Sequence, residues 1–272
     1  MTKRYLNLGC GERFHAEWVN LDLHPASPSV QKWDLQKDLP FPDGSFDVVY
    51  HSHVLEHFSR VDGIQLLARC LRLLKPSGVI RVVVPDLERI ARQYLESLDK
   101  SLAGDAESQQ RYDWIVLEMY DQALRETSGG QMLEYLRQAG PGQIEFVRKR
   151  HGTEIDRILD AVRGKPQAKS YAGSFVGRTR SLAGRKLLRL LLGAQGLAAY
   201  DCGRFRLSGE IHKWMYDRYS LGRILQGAGF VNPEIFGPAE SQIPNWASFA
   251  LDTEPDGRVY KPDSLFVEAV RP

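Results

Sequence analysis

The chain has 272 residues, 43% of them hydrophobic and 26% charged, a composition that excludes a disordered or collagen-like protein and fits a soluble globular one. That length supplies enough buried surface to need neither disulfides nor a structural metal. The cysteines Cys10, Cys70 and Cys202 are odd in number and far apart, with no CxxC or CxxH pairing. They read as reduced thiols of a cytoplasmic protein, with no zinc site suggested. The start MTKRYLNLGCG has no apolar stretch of signal-peptide length, so secretion is not expected. The run Leu187 to Leu192, interrupted by Arg189, is too short to span a bilayer. The formal net charge is only +2, but from Arg148 to Arg189 twelve Lys or Arg stand against three acidic residues. The remainder is therefore acidic, and the basic middle is read as a segment with its own task.

The opening alternates strand and turn. Tyr5 to Leu8 is a short apolar strand ending in Gly9-Cys10-Gly11, and Trp18 to Leu23 is a second. Phe46 to Tyr50 follows the turn PDGS, and Val79 to Val84 follows PSG; both are β-branched runs suited to a parallel sheet covered on its two faces. Between them Ile64, Leu67, Ala68, Leu71 and Leu74 recur at helical spacing, and Lys75-Pro76 ends that helix. Strand, helix, strand is the unit of an α/β fold.

After Pro85-Asp86 the pattern turns helical: Leu87, Ile90, Ala91, Tyr94, Leu95 and Leu98 mark an amphipathic helix. Further helices are expected at Tyr112 to Arg125, Gln131 to Gln138, Ile144 to Arg150 and Glu154 to Arg163, separated by glycine-rich breaks. Core patterning resumes with Ser220 as an expected N-cap, a helix through Leu225, and final strands at Val231 to Phe236 and Leu265 to Val270. The expected organisation is a core of residues 1–96 and 209–272, interrupted by a basic helical insertion, 97–208, that caps the active site.

Four signals carry chemistry. The turn NLGCGERF follows a strand, and its glycines let backbone approach a ligand. It is not a pyrophosphate turn, because Phe14 stands where the third glycine would, and Asp22 follows Gly9 too closely for a full helix. Asp22 ends a strand, where its carboxylate can accept from two ribose hydroxyls. Asp34 can take an exocyclic adenine amine while Leu35 covers the ring. The ordered pair FDVVYHSHVLEHF and LLKPSGVIRVVVP completes the set.

Together LNLGCG, NLD, LPFPDGSFDVVYHSHVLEH and LLKPSG resemble the class I S-adenosylmethionine-dependent methyltransferases of the type-11 domain group, over residues 4–86. The stretches GEIHKWMYDRYSLGRILQGAGF and SQIPNWASFALDTEPDGRVYKPDSLFVEA are similar to a bacterial subgroup of predicted methyltransferases associated with surface polysaccharide synthesis. The resemblance implies a doubly wound, mostly parallel seven-stranded α/β sheet with an antiparallel final strand. S-adenosyl-L-methionine would lie with its methionine part along Gly9, Cys10 and Gly11, its ribose on Asp22 beside Leu23, its adenine at Asp34 and Leu35, and its amine bordered by His51. The sequence departs from the pattern at Asn7, where an acidic residue is common, and in the short first connection.

Transfer to an alcohol requires loss of a proton, and a histidine is suited to take it near neutral pH. His53, His57 and His212 are the candidates, with Asp86 a lesser one and His57 read first as a packed residue. Trp214, Tyr216 and Tyr219 can stack on a sugar or a base; two of the three are expected in the core. The basic insertion is either a solvated surface or a contact for something anionic. Its leucines, Leu187, Leu188, Leu191 and Leu192, flanked by Arg185, Lys186 and Arg189, are either an interfacial helix at the inner membrane face or a buried helix of the cap. No nucleic-acid motif accompanies the charge, so a glycan ranks above RNA. The expected reaction is O-methylation of a sugar hydroxyl on a surface glycan or its precursor. The alternatives are a small-molecule or RNA acceptor, or a non-catalytic cofactor-binding partner of a glycan-assembly complex.

Overall fold

The computed structural model describes residues 3–162 and 175–272, with side chains described for 3–160 and 184–272. Seven strands, β1 (Tyr5–Leu8), β2 (Val19–Asp22), β3 (Val30–Lys32), β4 (Phe46–Ser52), β5 (Leu74–Pro85), β6 (Val231–Ile235) and β7 (Ser264–Val270), form one sheet in the order β3-β2-β1-β4-β5-β7-β6. The first five are parallel, while β7 inserts antiparallel between β5 and β6. This is a mostly parallel α/β sheet of the class I methyltransferase order. The strand β5 begins five residues before its β-branched run at Val79, because Leu74 already pairs with Phe46 across an irregularity at Phe46/Val48. The strand β3 has one buried residue, Val30, and therefore no run to mark it in the sequence.

The two sheet faces are covered differently. Leu6, Leu8, Val49, Ile80 and Val82 point to one face, under α1 (Arg60–Leu73) and α8 (Arg218–Gly227). Ser59 caps α1 by accepting from the Asp62 N–H at 3.2 Å. Asp217, not Ser220, caps α8: its carboxylate accepts from the Ser220 N–H at 2.7 Å, and the Ser220 hydroxyl accepts in return from the Asp217 N–H at 3.0 Å. That is a capping box, in which Ser220 supplies the returning half. The other face is aromatic. Trp18, Tyr50, Trp246 and Phe249 meet edge to face with ring centroids 5.2–6.1 Å apart, so the C-terminal segment fills the space that the short β1–β2 connection leaves without a helix. Beneath them Arg81 is fully buried, with donors to Asp252, Glu268 and the carbonyls of Gly237 and Glu240 at 2.7–3.0 Å, which ties that segment to β5.

Of the three aromatics after His212, only Tyr216 is buried; Trp214 is 42% and Tyr219 70% exposed. Tyr216 sits in the β5-side core, whereas Tyr219 lies in the first turn of α8 on its outer side, so the expectation of two core aromatics is corrected to one.

Between β5 and α8 come α2 (Leu87–Leu102), α3 (Ala106–Leu124), α4 (Gly130–Gln138), α5 (Pro141–His151), α6 (Glu154–Val162) and α7 (Phe175–Arg206), the last kinked at Gly193. The Arg163 end of the expected fourth helix and the basic residues Lys165 and Lys169 lie outside the described residues. The cap helices share their own core, built on Trp114, Ile115, Leu136 and Val147. In α7, Leu187, Leu190, Leu191 and Leu192 are 53–82% exposed. This leucine run is therefore not a buried cap helix in this chain, because no other described element packs over it.

The cap is fastened to the sheet by buried charge. His151 at the end of α5 joins Glu118 of α3 at 2.8 Å and Asp263, just before β7, at 3.0 Å, while Arg150 also pairs with Glu118. Burial works against the charged imidazole, but Asp263 and Glu118 outweigh it and lift His151 to about 10. The reciprocal pull of His151 and Arg150 holds Glu118 below its ordinary value despite burial. His151, His53 and Arg150 do the same for Asp263. The signs set two pH limits. His151 contributes in full below its ordinary 6.5 and loses its contribution as pH rises through about 10. The carboxylates contribute in full above their ordinary 4.5 and 3.8 and lose it as pH falls through their lowered values. The stability that this cluster contributes, read as the difference in melting temperature between the wild type and His151→Gln, is expected to be flat between about pH 4.5 and 6.5 and to shrink toward pH 10. His151→Gln should cost about 3 kcal/mol and flatten the alkaline decline; an unchanged alkaline slope in that variant contradicts the assignment.

Candidate active site

The parallel pairing of β1 with β4 sets Leu8 beside His51, so the chain leaves both strands at the same edge of the sheet. From β1 it enters Gly9-Cys10-Gly11, with φ of +62° at Gly9 and +52° at Gly11, a region costly for residues bearing a Cβ. A Cβ on Gly9 would stand 2.5 Å from Cγ2 of Val54 and 3.6 Å from Cδ1 of Leu35, whereas one on Gly11 would meet nothing within 4 Å. Gly9 thus lets the turn close onto Val54 and Leu35, and Gly11 leaves a gap beside it. Asp22, at the end of β2, braces that turn: its carboxylate accepts from the Gly11 N–H at 2.8 Å and from the His24 N–H at 2.7 Å. Each oxygen keeps a further lone pair for a ligand. Cys10 is buried, and burial, reinforced by Asp22, pushes its thiol up to about 12, so it contributes backbone and bulk, not a thiolate.

Leu35 is packed against the core beside the glycine turn, while Asp34 turns its carboxylate back on the Gln36 N–H at 3.0 Å. Leu23 is exposed at 39%. Asn7, where the family pattern favours an acid, is buried and donates to the Arg13 carbonyl at 3.0 Å and to Asn20 at 3.3 Å; it fixes the short β1–β2 connection and is spent there. His51 is fully buried with neither ring nitrogen bonded among the described residues, and burial pushes it down to about 4. These features fit a nucleoside cofactor: an open space at Gly11, a braced carboxylate at Asp22, an apolar cover at Leu35, and orphaned polar atoms at His51.

The second turn, after β4, carries the histidines. His53 adopts φ +53°, an uncommon conformation for a residue with a Cβ and one that often marks a working site. Its Nε2 lies 2.8 Å from the Ser264 hydroxyl. A 3-10 turn, Leu55–His57, follows. His57 Nδ1 donates to the Ile211 carbonyl at 3.1 Å, and its ring meets that of His212 edge to face at 4.9 Å. Backbone hydrogen bonds hold the His212 segment between this turn and α3, from the Lys213 N–H to the Glu56 carbonyl at 2.7 Å and from the His212 N–H to the Gln122 carbonyl at 3.0 Å. The three candidate histidines therefore converge. Burial lowers all three below the ordinary histidine value, with lesser contributions from Lys261 and from one another, which keeps them neutral. Asp86, by contrast, caps α2 through the Arg89 N–H at 3.2 Å, a structural task.

His53, His57 and His212 line a cavity of about 390 Å³ roofed by the cap. Gln122, Arg125, Glu154 and Lys261 join them, and sequence reasoning did not find these four. Gln122, Arg125 and Glu154 are ordinary helix-surface residues in the sequence, and Lys261 lies in a polar loop; only the docking of the cap turns them inward. Glu56 was also passed over. It is completely buried with both carboxylate oxygens unbonded, and burial pushes it up to about 8.

A mostly parallel sheet of this strand order, with a glycine turn after β1 and an acid after β2, matches the class I methyltransferase fold. Residues 6–82 match the family described as a methyltransferase domain, the type-11 group. A probable S-adenosylmethionine-dependent methyltransferase of Mycolicibacterium smegmatis is 32% identical over 98 residues, an alignment covering 30% of this chain and 37% of that protein. Among solved structures, a methyltransferase of Thermotoga maritima described as a possible histamine N-methyltransferase is 12% identical, covering 100% of this chain and 84% of its own, with a TM-score of 0.39. One from Archaeoglobus fulgidus is 13% identical, covering 98% and 86%, also with a TM-score of 0.39. Residues 6–82 thus match a methyltransferase domain, and the chain spans about a third of the length of the Mycolicibacterium relative, which is described as probably S-adenosylmethionine-dependent.

Asp22→Ala is expected to weaken S-adenosylhomocysteine binding at least tenfold, since hydrogen bonds to a charged group contribute roughly 1.5 to 3 kcal/mol each. Titration calorimetry measures this; an unchanged affinity would remove Asp22 from the cofactor site.

Proposed function

We propose that this chain transfers a methyl group from S-adenosyl-L-methionine to a sugar hydroxyl of a surface glycan or its precursor. The observation that carries the reading is the division of labour within one turn: Val54 packs on the cofactor-side Gly9, while its neighbour His53 lines the acceptor cavity. A cavity of about 390 Å³ falls within the range of small-ligand sites. Its imidazole, amide, guanidinium, carboxylate and ammonium groups are the kind that hydrogen-bond a polyol.

The cofactor, when bound, supplies an electrophilic methyl on sulfur. The chain's own residues do the rest. Asp22 and the glycine turn fix the nucleoside, and the cap excludes water. Gln122, Arg125 and Glu154 orient the acceptor, so that the oxygen meets the methyl in line; such positioning is worth about 7 to 11 kcal/mol. The hydroxyl proton passes to an imidazole of the cavity, with His53, His57 and His212 as the available bases.

The purified protein, given cofactor labelled in the methyl group, is expected to label saccharide acceptors. Label on RNA or protein, with none on any saccharide, would overturn the glycan reading. Lys261→Ala, which empties one wall of the cavity, is expected to raise the acceptor KM more than tenfold with cofactor affinity unchanged.

Peripheral contact with a membrane belongs to the same reading, supported by the exposed leucines of α7 beside Arg185, Lys186 and Arg189. No helix among the described residues is long and apolar enough to cross a membrane. Co-sedimentation with vesicles of anionic phospholipid should fall by about tenfold in Leu190→Glu/Leu191→Glu; equal sedimentation of both proteins argues against it.

A further inference from the structure

We propose that Glu56, His57 and His212 form a binding site for a divalent transition-metal ion at the edge of the acceptor cavity. Their ligand atoms, one from each residue, all lie within 4.8 Å of one another. Two ligands of a tetrahedral ion at zinc-like distances of about 2.0 to 2.2 Å stand about 3.3 to 3.6 Å apart, so side-chain movement on the order of an ångström closes the set.

Three observations make this more than proximity. The first is the state of Glu56. It is fully buried, neither oxygen has a hydrogen bond, and the nearest basic atom, Nδ1 of His53, sits at 3.4 Å without hydrogen-bond geometry. Lys261 does not answer it, being paired with Glu154 at 3.0 Å. A buried carboxyl group with no hydrogen-bond partner is costly to a fold, and a cation is the natural complement of its ionised form. The second is the orientation of His57. Because the Ile211 carbonyl can only accept, Nδ1 holds the proton, and Nε2 is left with its lone pair free. A ligating histidine commonly has its second nitrogen engaged in this way. The third is rigidity: the two segments that supply the ligands are stitched together by the hydrogen bonds from Lys213 and Trp214 to the Glu56 carbonyl, at 2.7 and 3.2 Å.

Two imidazoles and one carboxylate suit borderline ions such as zinc, cobalt or manganese and leave coordination positions open. Resting on the methyltransferase reading, an acceptor hydroxyl reaching one of those positions would lose its proton more readily. The balance is complete: the S–CH₃ bond breaks, an O–CH₃ bond forms, and the O–H proton goes to His53, the imidazole not engaged as a ligand. The products are S-adenosylhomocysteine and a methyl ether. The search for paired cysteines in the sequence could not reveal such a site, since it contains no thiolate.

The test uses the full chain stripped with chelator and titrated with Co²⁺, followed by visible absorption, and with Zn²⁺ and Mn²⁺ by calorimetry. One ion per chain is expected, with affinity falling about 100-fold in Glu56→Gln and in His212→Gln. Glu56→Gln keeps the shape of the side chain and replaces a buried carboxyl that has no hydrogen-bond partner, so it should melt no lower than the wild type while losing the metal response. Absence of binding, or binding that survives both substitutions, overturns the site. Methyl transfer after chelation separates the two readings. Metal binding without transfer to any acceptor leaves the ion site standing and fails the methyltransferase reading. Transfer undiminished in the stripped protein removes the ion's catalytic role.

Discussion

Everything this chain does depends on where two neighbouring parallel strands stop. β1 and β4 pair so that Leu8 lies beside His51, and the turns that follow emerge back to back. Val54 fills the space between them, close enough that only a glycine fits at position 9. One side of that contact is the glycine turn braced by Asp22; the other is the histidine turn. A sheet whose strands ended out of step would separate the two turns.

The cap converts an open sheet edge into an enclosed site. It does so with charge as well as apolar contact: His151 bridges Glu118 and Asp263, both buried. Such a bridge is costly to assemble and more costly to leave half made, so it favours one docked arrangement over loosely packed alternatives. The same docking brings Glu154 and Lys261 into the cavity wall and presses the His212 segment onto Glu56. The cavity of His53, His57 and His212 is therefore a product of the interface between cap and core. The glycine turn and Asp22 belong to the core strands and their loops.

That difference explains how much could be read in the sequence. The strands were legible because β-branched runs such as Phe46 to Tyr50 sit between glycine and proline turns, and the turn after β1 because its glycines directly follow the apolar run Tyr5 to Leu8. β3 was not, since three residues with one apolar side chain leave no pattern. The aromatic layer over the second face was hidden as well: Trp246 and Phe249 look like loop residues until Trp18 and Tyr50 meet them. Glu56 stands in plain view in the HVLEH stretch, yet its isolation becomes visible only once burial is known. Trp214 and Tyr219 mislead in the opposite direction, because their spacing is that of a core and their positions are on the surface.

The central claim is that the ends of β1, β2 and β4 hold an adenosine and present its sulfonium toward His53. A crystal structure of the protein grown with S-adenosylhomocysteine tests it most directly. The account predicts the ribose hydroxyls on the Asp22 carboxylate, the adenine against Leu35, and the homocysteine sulfur on the cavity side of the turn at Val54. A nucleoside bound anywhere else, or a cleft left vacant at saturating ligand, would contradict it.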